Sequence, residues 1–367
     1  MVPHYQPIPL PAPFWFLESF LILGFFLHLV PMNIVLGGTF SSALMILTSS
    51  EESYTQRFGI ELAKALPIFL SFAITQGIVP LLFLQLLYGP LYYTSSIIMA
   101  LPWLAVIFIL LAAYYLLYFF KFNVNKGSSN ASYAWVLLIA ASLFLVIGFI
   151  FSNNMTLMLH PEKWTSMIDI SSTGMHMNHS EVQLLPRFLM VVCNAFAVVG
   201  ILMGCYGLYY HSREQAYSNW LIKYGSLLYL CATLTEMIPI YFFAKTLPQD
   251  LLQKFLGASQ VHFAVIVVIM LCSLIAIVMS VLNFVKANRF IFITALSSML
   301  VANLAFAVSR HLIRTHFTDQ FVHPNLLQIN IQWDIFVVFL ILFVAMLTYL
   351  LWLIMIVFKA YKREVQI

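Results

Sequence analysis

Nine stretches of this chain stay apolar for about 20 residues or more, the length needed to cross a bilayer as a helix. They run over 14–47, 63–89, 96–121, 132–153, 187–210, 218–245, 258–285, 289–311 and 333–359. Inside a bilayer no water satisfies a free backbone N–H or C=O, so each run closes its own hydrogen bonds as a helix. Hydrophobic residues make up 62% of the chain and charged residues 8%, against about 25% charged in a soluble domain. The reading is an all-α polytopic membrane protein, a single transmembrane domain over 1–367 built of helical bundles. The long polar interval 154–186 falls below the roughly 40 residues an independent core needs. It is the natural break of a 4+4+1 helix arrangement, although no sequence repeat stands out.

An odd number of spans puts the termini on opposite sides. With the N-terminus outside, Arg57, Lys64, Lys121, Lys126, Arg213, Lys223, Lys286, Arg289, Lys359, Lys362 and Arg363 fall on the inner side. Lys163, Arg187, Lys245, Lys254, Arg310 and Arg314 fall on the outer side. The split of 11 to 6 favours N-outside, C-inside by the positive-inside rule. The opening "MVPHYQPIPLPAPF" has no basic segment and does not read as a cleaved signal peptide. Cys193, Cys205, Cys231 and Cys272 lie in apolar runs and read as packing residues, with no CxxCH for covalent haem. The net charge of +4 carries no argument for nucleic acid, and none is expected as a partner.

Polar residues inside spans are costly and mark function by default. His28, in "FFLHLVPMNIVLGG", lies about 21 Å below Phe14 at about 1.5 Å per residue. Two readings are open for it, an axial haem ligand and a hydrogen bond to a neighbouring helix, with ion or proton handling as a third. On the N-outside orientation His4, His160, His176, His179, His311, His316 and His323 face the outer compartment, and His211 faces the inner one. A six-coordinate haem needs a second ligand, and His262 is the best transmembrane candidate. The depths of the two differ by roughly 10 Å. Gly24, one turn before His28, leaves room for a flat macrocycle. In the fifth run Cys193, Ala197, Gly200, Gly204 and Gly207 form a small-residue stripe, which admits a porphyrin or, more commonly, another helix.

Glu236, in "TLTEMIPIY", is a carboxylate well inside a span, suited to accept a quinol proton, ligate a metal or pair with a buried cation. Gln76, Gln85 and Tyr88 offer hydrogen-bonding groups for the carbonyls of a quinone head group, while tyrosines at a membrane edge commonly form an aromatic belt. Arg187 and Arg310, with Arg314, stand at outer helix ends. They suit haem propionates or an acidic partner, or serve as snorkelling anchors. His160, His176 and His179, with Met155, Met158, Met175 and Met177, share the 154–186 interval, and thioether plus imidazole suits Cu(I).

The nine spans, the orientation and "FLHLVPMNIVLGG" resemble subunit I of cytochrome bd-type quinol oxidases and their divergent relatives. The segments "GIVPLLFLQLLYG" and "LPRFLMVVCNAFAVVGILMG" are similar to membrane subunits of bacterial respiratory chains. The resemblance implies a multi-pass protein of the bacterial inner membrane in which His28 ligates haem b. The chain departs from that family in four ways. The Gly-Arg-Gln-Pro-Trp run is absent, the connection between the sixth and seventh spans is short, the fifth span lacks a mid-span histidine, and the third lacks a glutamate. A three-haem oxygen-reducing mechanism is therefore not expected. What remains is a cytochrome b-like subunit of a respiratory complex, exchanging electrons between the quinone pool and a periplasmic cytochrome c or iron–sulfur subunit. The alternatives are a transporter for copper or a small solute, built on inverted repeats, and a cofactor-free membrane anchor.

Overall fold

The computed structural model describes residues 9–124, 130–170 and 173–365. His4 and Lys126 lie outside the described residues. The helices are α1 (Phe14–Thr48), α2 (Tyr54–Ile98), α3 (Ala100–Asn123), α4 (Asn130–Leu157), α5 (Trp164–Ile170), α6 (Leu184–Tyr210), α7 (Gln215–Lys245), α8 (Gln249–Gln253), α9 (Gln260–Val285), α10 (Arg289–Thr318) and α11 (Trp333–Val365). The chain is an all-α polytopic membrane protein. Among the described residues eight helices, α1–α4, α6, α7, α9 and α10, are long and apolar enough to cross a membrane, while α11 contributes a shorter apolar window, Trp333–Met346.

Local chemistry explains where these helices start and bend. The Ser53 hydroxyl accepts from the Gln56 N–H at 3.2 Å and caps α2. Asn288 Oδ1 accepts from the N–H groups of Phe290 at 2.8 Å and Ile291 at 3.4 Å, and so starts α10. The sequence places an inner connection before residue 63, but α2 begins at Tyr54 and runs for 45 residues. Its polar first turns are held by an Arg57–Glu61 pair one turn apart. α2 leaves helical geometry at Tyr88 (φ −127°, ψ 28°), two residues before Pro90, which has no N–H and crowds the preceding turn. Only Met99 separates α2 from α3.

The helices group as four, four and one. α1 packs along α2 and against α4, and α3 packs on α4. α6 packs most extensively on α7, α9 packs on α10, and α7 touches α9. α1 joins the two groups through α6 and α10. Four spans return the chain to its starting side, so the groups run in parallel rather than inverted. α6 and α7 meet backbone to backbone. A Cβ on Gly200 would lie 2.5 Å from the Gly225 carbonyl oxygen, and one on Gly225 would lie 2.4 Å from that of Gly200. α11 lies against the N-terminal part of α1 through Phe336 and Phe339 on Phe16 and Phe343 on Phe20. The segments leading into α1 and α11 share a short parallel bridge, with Leu10 N–H donating to Gln328 at 2.7 Å and Asn330 N–H to Leu10 at 2.9 Å.

Candidate functional site

His28 is half-buried on α1 and its imidazole meets α2. Nδ1 lies 2.9 Å from the Ala73 carbonyl oxygen, so Nδ1–H donates and the lone pair is left on Nε2. Nε2 has no hydrogen-bond partner among the described residues. Gly77 makes this fit, because a Cβ there would come within 2.9 Å of the ring. The guanidinium of Arg310 lies 4.1 Å over the Phe25 ring, within electrostatic reach of His28.

Arg310 belongs to a group of three buried or half-buried cations. Arg310, Arg314 and Arg187 come from α10 and the start of α6, and each is near enough to feel another's charge. Among the described residues none has a carboxylate within ion-pair distance. Arg314 is 5% exposed and faces the Tyr88 ring at 5.6 Å. Arg187 donates to Gln183 Oε1 at 3.0 Å and lies 4.7 Å over Phe243. Arg187 Nε, Arg314 Nη1 and the Tyr88 hydroxyl are buried without a partner. The neighbouring carboxylates are otherwise engaged. Glu18 accepts from His311 Nε2 at 2.7 Å, and Glu181 accepts from Lys163 beside His160. Burial alone would push the Glu181 carboxyl up, but Lys163, His160 and the Gln183 N–H together outweigh it and hold it below its ordinary value.

A second polar group crosses the centre of the fold. Asn33 Nδ2 on α1 donates to Asn194 Oδ1 on α6 at 2.8 Å, and Asn194 Nδ2 donates to Asn303 Oδ1 on α10 at 3.3 Å. Asn194 also faces the carboxyl of Glu236 on α7, which is 9% exposed. The joint sits where the two groups touch, since a Cβ on Gly37 would lie 2.4 Å from the Ala195 carbonyl oxygen.

Several expected site residues are placed apart. His262 shares no neighbour with His28. Its Nδ1 lies 2.9 Å from Ser259 Oγ, its ring meets Phe255 at 5.0 Å, and Lys254 and His316 are nearby. Gly24 gives no room to a macrocycle, because Val79 and Pro80 of α2 lie within 3.0 and 3.3 Å of a Cβ there. The α6 stripe is likewise spent on helix packing, against Tyr229 at Gly200, Phe292 at Gly204 and Ile222 at Gly207. Tyr88 faces Arg314, whereas Gln85 accepts from the Tyr93 hydroxyl at 3.4 Å; Gln76 is half-buried on α2. His160 Nδ1 is 2.7 Å from Glu162 and His179 stacks on Phe149 at 6.1 Å. His176 is engaged within the fold. Among the described residues no three His, Cys, Asp or Glu side chains converge as metal ligands, and the four cysteines are free.

Sequence reasoning missed Glu18, His311 as its partner, and the Asn33–Asn194–Asn303 chain. The signal for the asparagines was available. Each is a primary amide within an apolar run, and a buried amide demands partners. No protein-family model matches the chain, and no curated protein is detectably similar to it.

Proposed function

We propose that this chain is the haem-carrying membrane subunit of a respiratory electron-transfer complex of the bacterial inner membrane, with nine spans and the N-terminus outside. It passes electrons between the quinone pool and a cytochrome c or iron–sulfur partner on the outer face. The observation that carries this reading is an imidazole whose Nδ1–H is held by a carbonyl and whose Nε2 has no partner among the described residues, beside arginines with no carboxylate within ion-pair distance. The donor chemistry fits a b-type haem. The Ala73 carbonyl holds His28 in the form that ligates iron. Arg310, Arg314 and Arg187 would hold the propionates, and an anion there would relieve the cost of burying unpaired cations. Bound haem b supplies one-electron redox chemistry.

A quinol releases two protons and two electrons on oxidation. Glu236 is the buried carboxylate available to take a proton, and Asn194 orients it. Gln76 and Gln85 carry amide donors for the quinone carbonyls. Parallel helix groups give no support to the inverted-repeat transporter reading.

A reduced-minus-oxidised spectrum of the purified chain tests the proposal. The expected result is an α-band near about 560 nm, lost in His28→Ala. A purified chain and complex without haem would sink the cytochrome reading, and an unchanged spectrum in His28→Ala would remove His28 as ligand. Glu236→Gln should slow quinol turnover at least roughly tenfold with haem content unchanged. Normal turnover in that variant would dismiss Glu236 as the proton acceptor.

A further inference from the structure

At the opposite end of the spans, where α6 turns into α7 and α9 into α10, the protein carries an open cleft of about 730 Å³. Its wall includes His211, Lys223, Lys286 and Arg289, and no carboxylate lines it. Glu214, the acidic residue nearest in sequence, is turned away and bound by Arg57 through two hydrogen bonds of 2.5 and 2.7 Å. Among the described residues none of the three long cations has an ion-pair partner. His211 Nδ1 is buried without a hydrogen-bond partner. The cleft therefore concentrates positive charge that no described residue neutralises.

Its surroundings say what kind of anion fits. Lys223 Nζ lies 5.2 Å from the Phe284 ring and Arg289 lies 4.8 Å over Phe290. Next to these cations Leu282, Val285 and Phe290 are 45%, 78% and 66% exposed. On helices that cross a membrane, such side chains lie against acyl chains. A ligand spanning both zones has a phosphate head and a hydrocarbon tail. Basic pockets between transmembrane helices have the chemistry to hold anionic lipid headgroups.

We propose that this cleft binds the phosphate headgroup of an anionic phospholipid, with Lys223, Lys286 and Arg289 on the phosphate and the α9 and α10 ends against its chains. The site lies at the opposite end of the spans from Arg187, Arg310 and Arg314 and is independent of the haem reading. The test is native mass spectrometry of the full chain released from nanodiscs of phosphatidylglycerol or of phosphatidylcholine. Wild type should retain phosphatidylglycerol in preference. Lys286→Gln, a change at an exposed turn residue, should lower that retention about fivefold, and Lys286→Arg should restore it. Combining Lys223→Gln, Lys286→Gln and Arg289→Gln should lower it roughly a hundredfold. Lys121→Gln, which lies at the same membrane face on α3, should leave retention unchanged. Equal retention of phosphatidylcholine, or an unaltered Lys286→Gln, would overturn the proposal. Displacement of the lipid by millimolar inorganic phosphate would also overturn it, by showing a site for free phosphate.

Discussion

The two ends of the helix bundle treat arginine in opposite ways. At the end where α1 turns into α2 and α6 into α7, Arg57 is fully answered. Glu61 accepts from its Nε at 2.9 Å, Glu214 accepts from both terminal nitrogens, and the Tyr210 and Tyr217 hydroxyls donate to Glu61 at 3.3 and 3.1 Å. At the other end Arg187, Arg310 and Arg314 meet aromatic faces and one amide, with no carboxylate within ion-pair distance among the described residues. The Arg57 cluster locks α2 to the α6–α7 turn and needs nothing more. The Arg187–Arg310–Arg314 cluster is unfavourable unless an anion joins it, since an uncompensated buried charge costs about 3–5 kcal/mol. The same residue type is thus structural at one end and ligand-seeking at the other, and satisfaction of charge tells the two apart.

The largest predicted effect removes the frame that both clusters share. Gly200→Val drives side-chain atoms into the Gly225 backbone and should destabilise the chain by about 3 kcal/mol or more, through overpacking that rigid backbone atoms cannot relieve. Loss of the cooperative thermal transition in detergent would show it, and an unchanged midpoint would refute the close α6–α7 seam. Next comes a pair with opposite signs. Arg314→Met should stabilise the ligand-free chain by about 1–3 kcal/mol while abolishing haem retention. Arg57→Met should destabilise it by about 1–2 kcal/mol and leave haem content unchanged. Thermal midpoints of the two variants with the same sign would erase the contrast.

The smallest predicted effect is a pH dependence in the connection between α4 and α6. Glu181 is held below its ordinary value by Lys163 and His160 against its own burial. Its contribution is therefore complete above the unfolded value, about 4.3, and disappears as pH falls through the lower folded value. Hydrogen-exchange protection over 158–170 and 173–183, corrected for the intrinsic pH dependence of amide exchange, should fall on acidification, and Glu181→Gln should remove that dependence. A loop equally protected at both pH values in wild type would refute it.

Much of the architecture was legible because its causes are local. Phe14, Trp333 and the polar intervals between apolar runs mark element ends to within a few residues for most helices. The exceptions were the start of α2, where Arg57 and Glu61 look like a loop until Glu214 is seen to receive them, and the ends of α2 and α10, which run on to Ile98 and Thr318 through polar turns that read as connections. Arg187, Arg310 and Arg314 were legible as a set, since the expected N-outside orientation puts all three near helix ends on one side. Their lack of carboxylates was not, because it depends on Glu18 turning to His311 and Glu181 to Lys163. Gly24 misled for the same reason. A small residue beside His28 reads as space, and only the approach of Val79 and Pro80 shows that a helix fills it.

By itself, the sequence determined that this protein is a set of apolar helices, because a backbone in hydrocarbon has to satisfy its hydrogen bonds within each segment. Only the tertiary structure decided which polar groups answer one another. Arg57 meets Glu214 across 157 residues and His311 meets Glu18 across 293. Such pairings come from helix packing, which brings together positions that no local spacing relates.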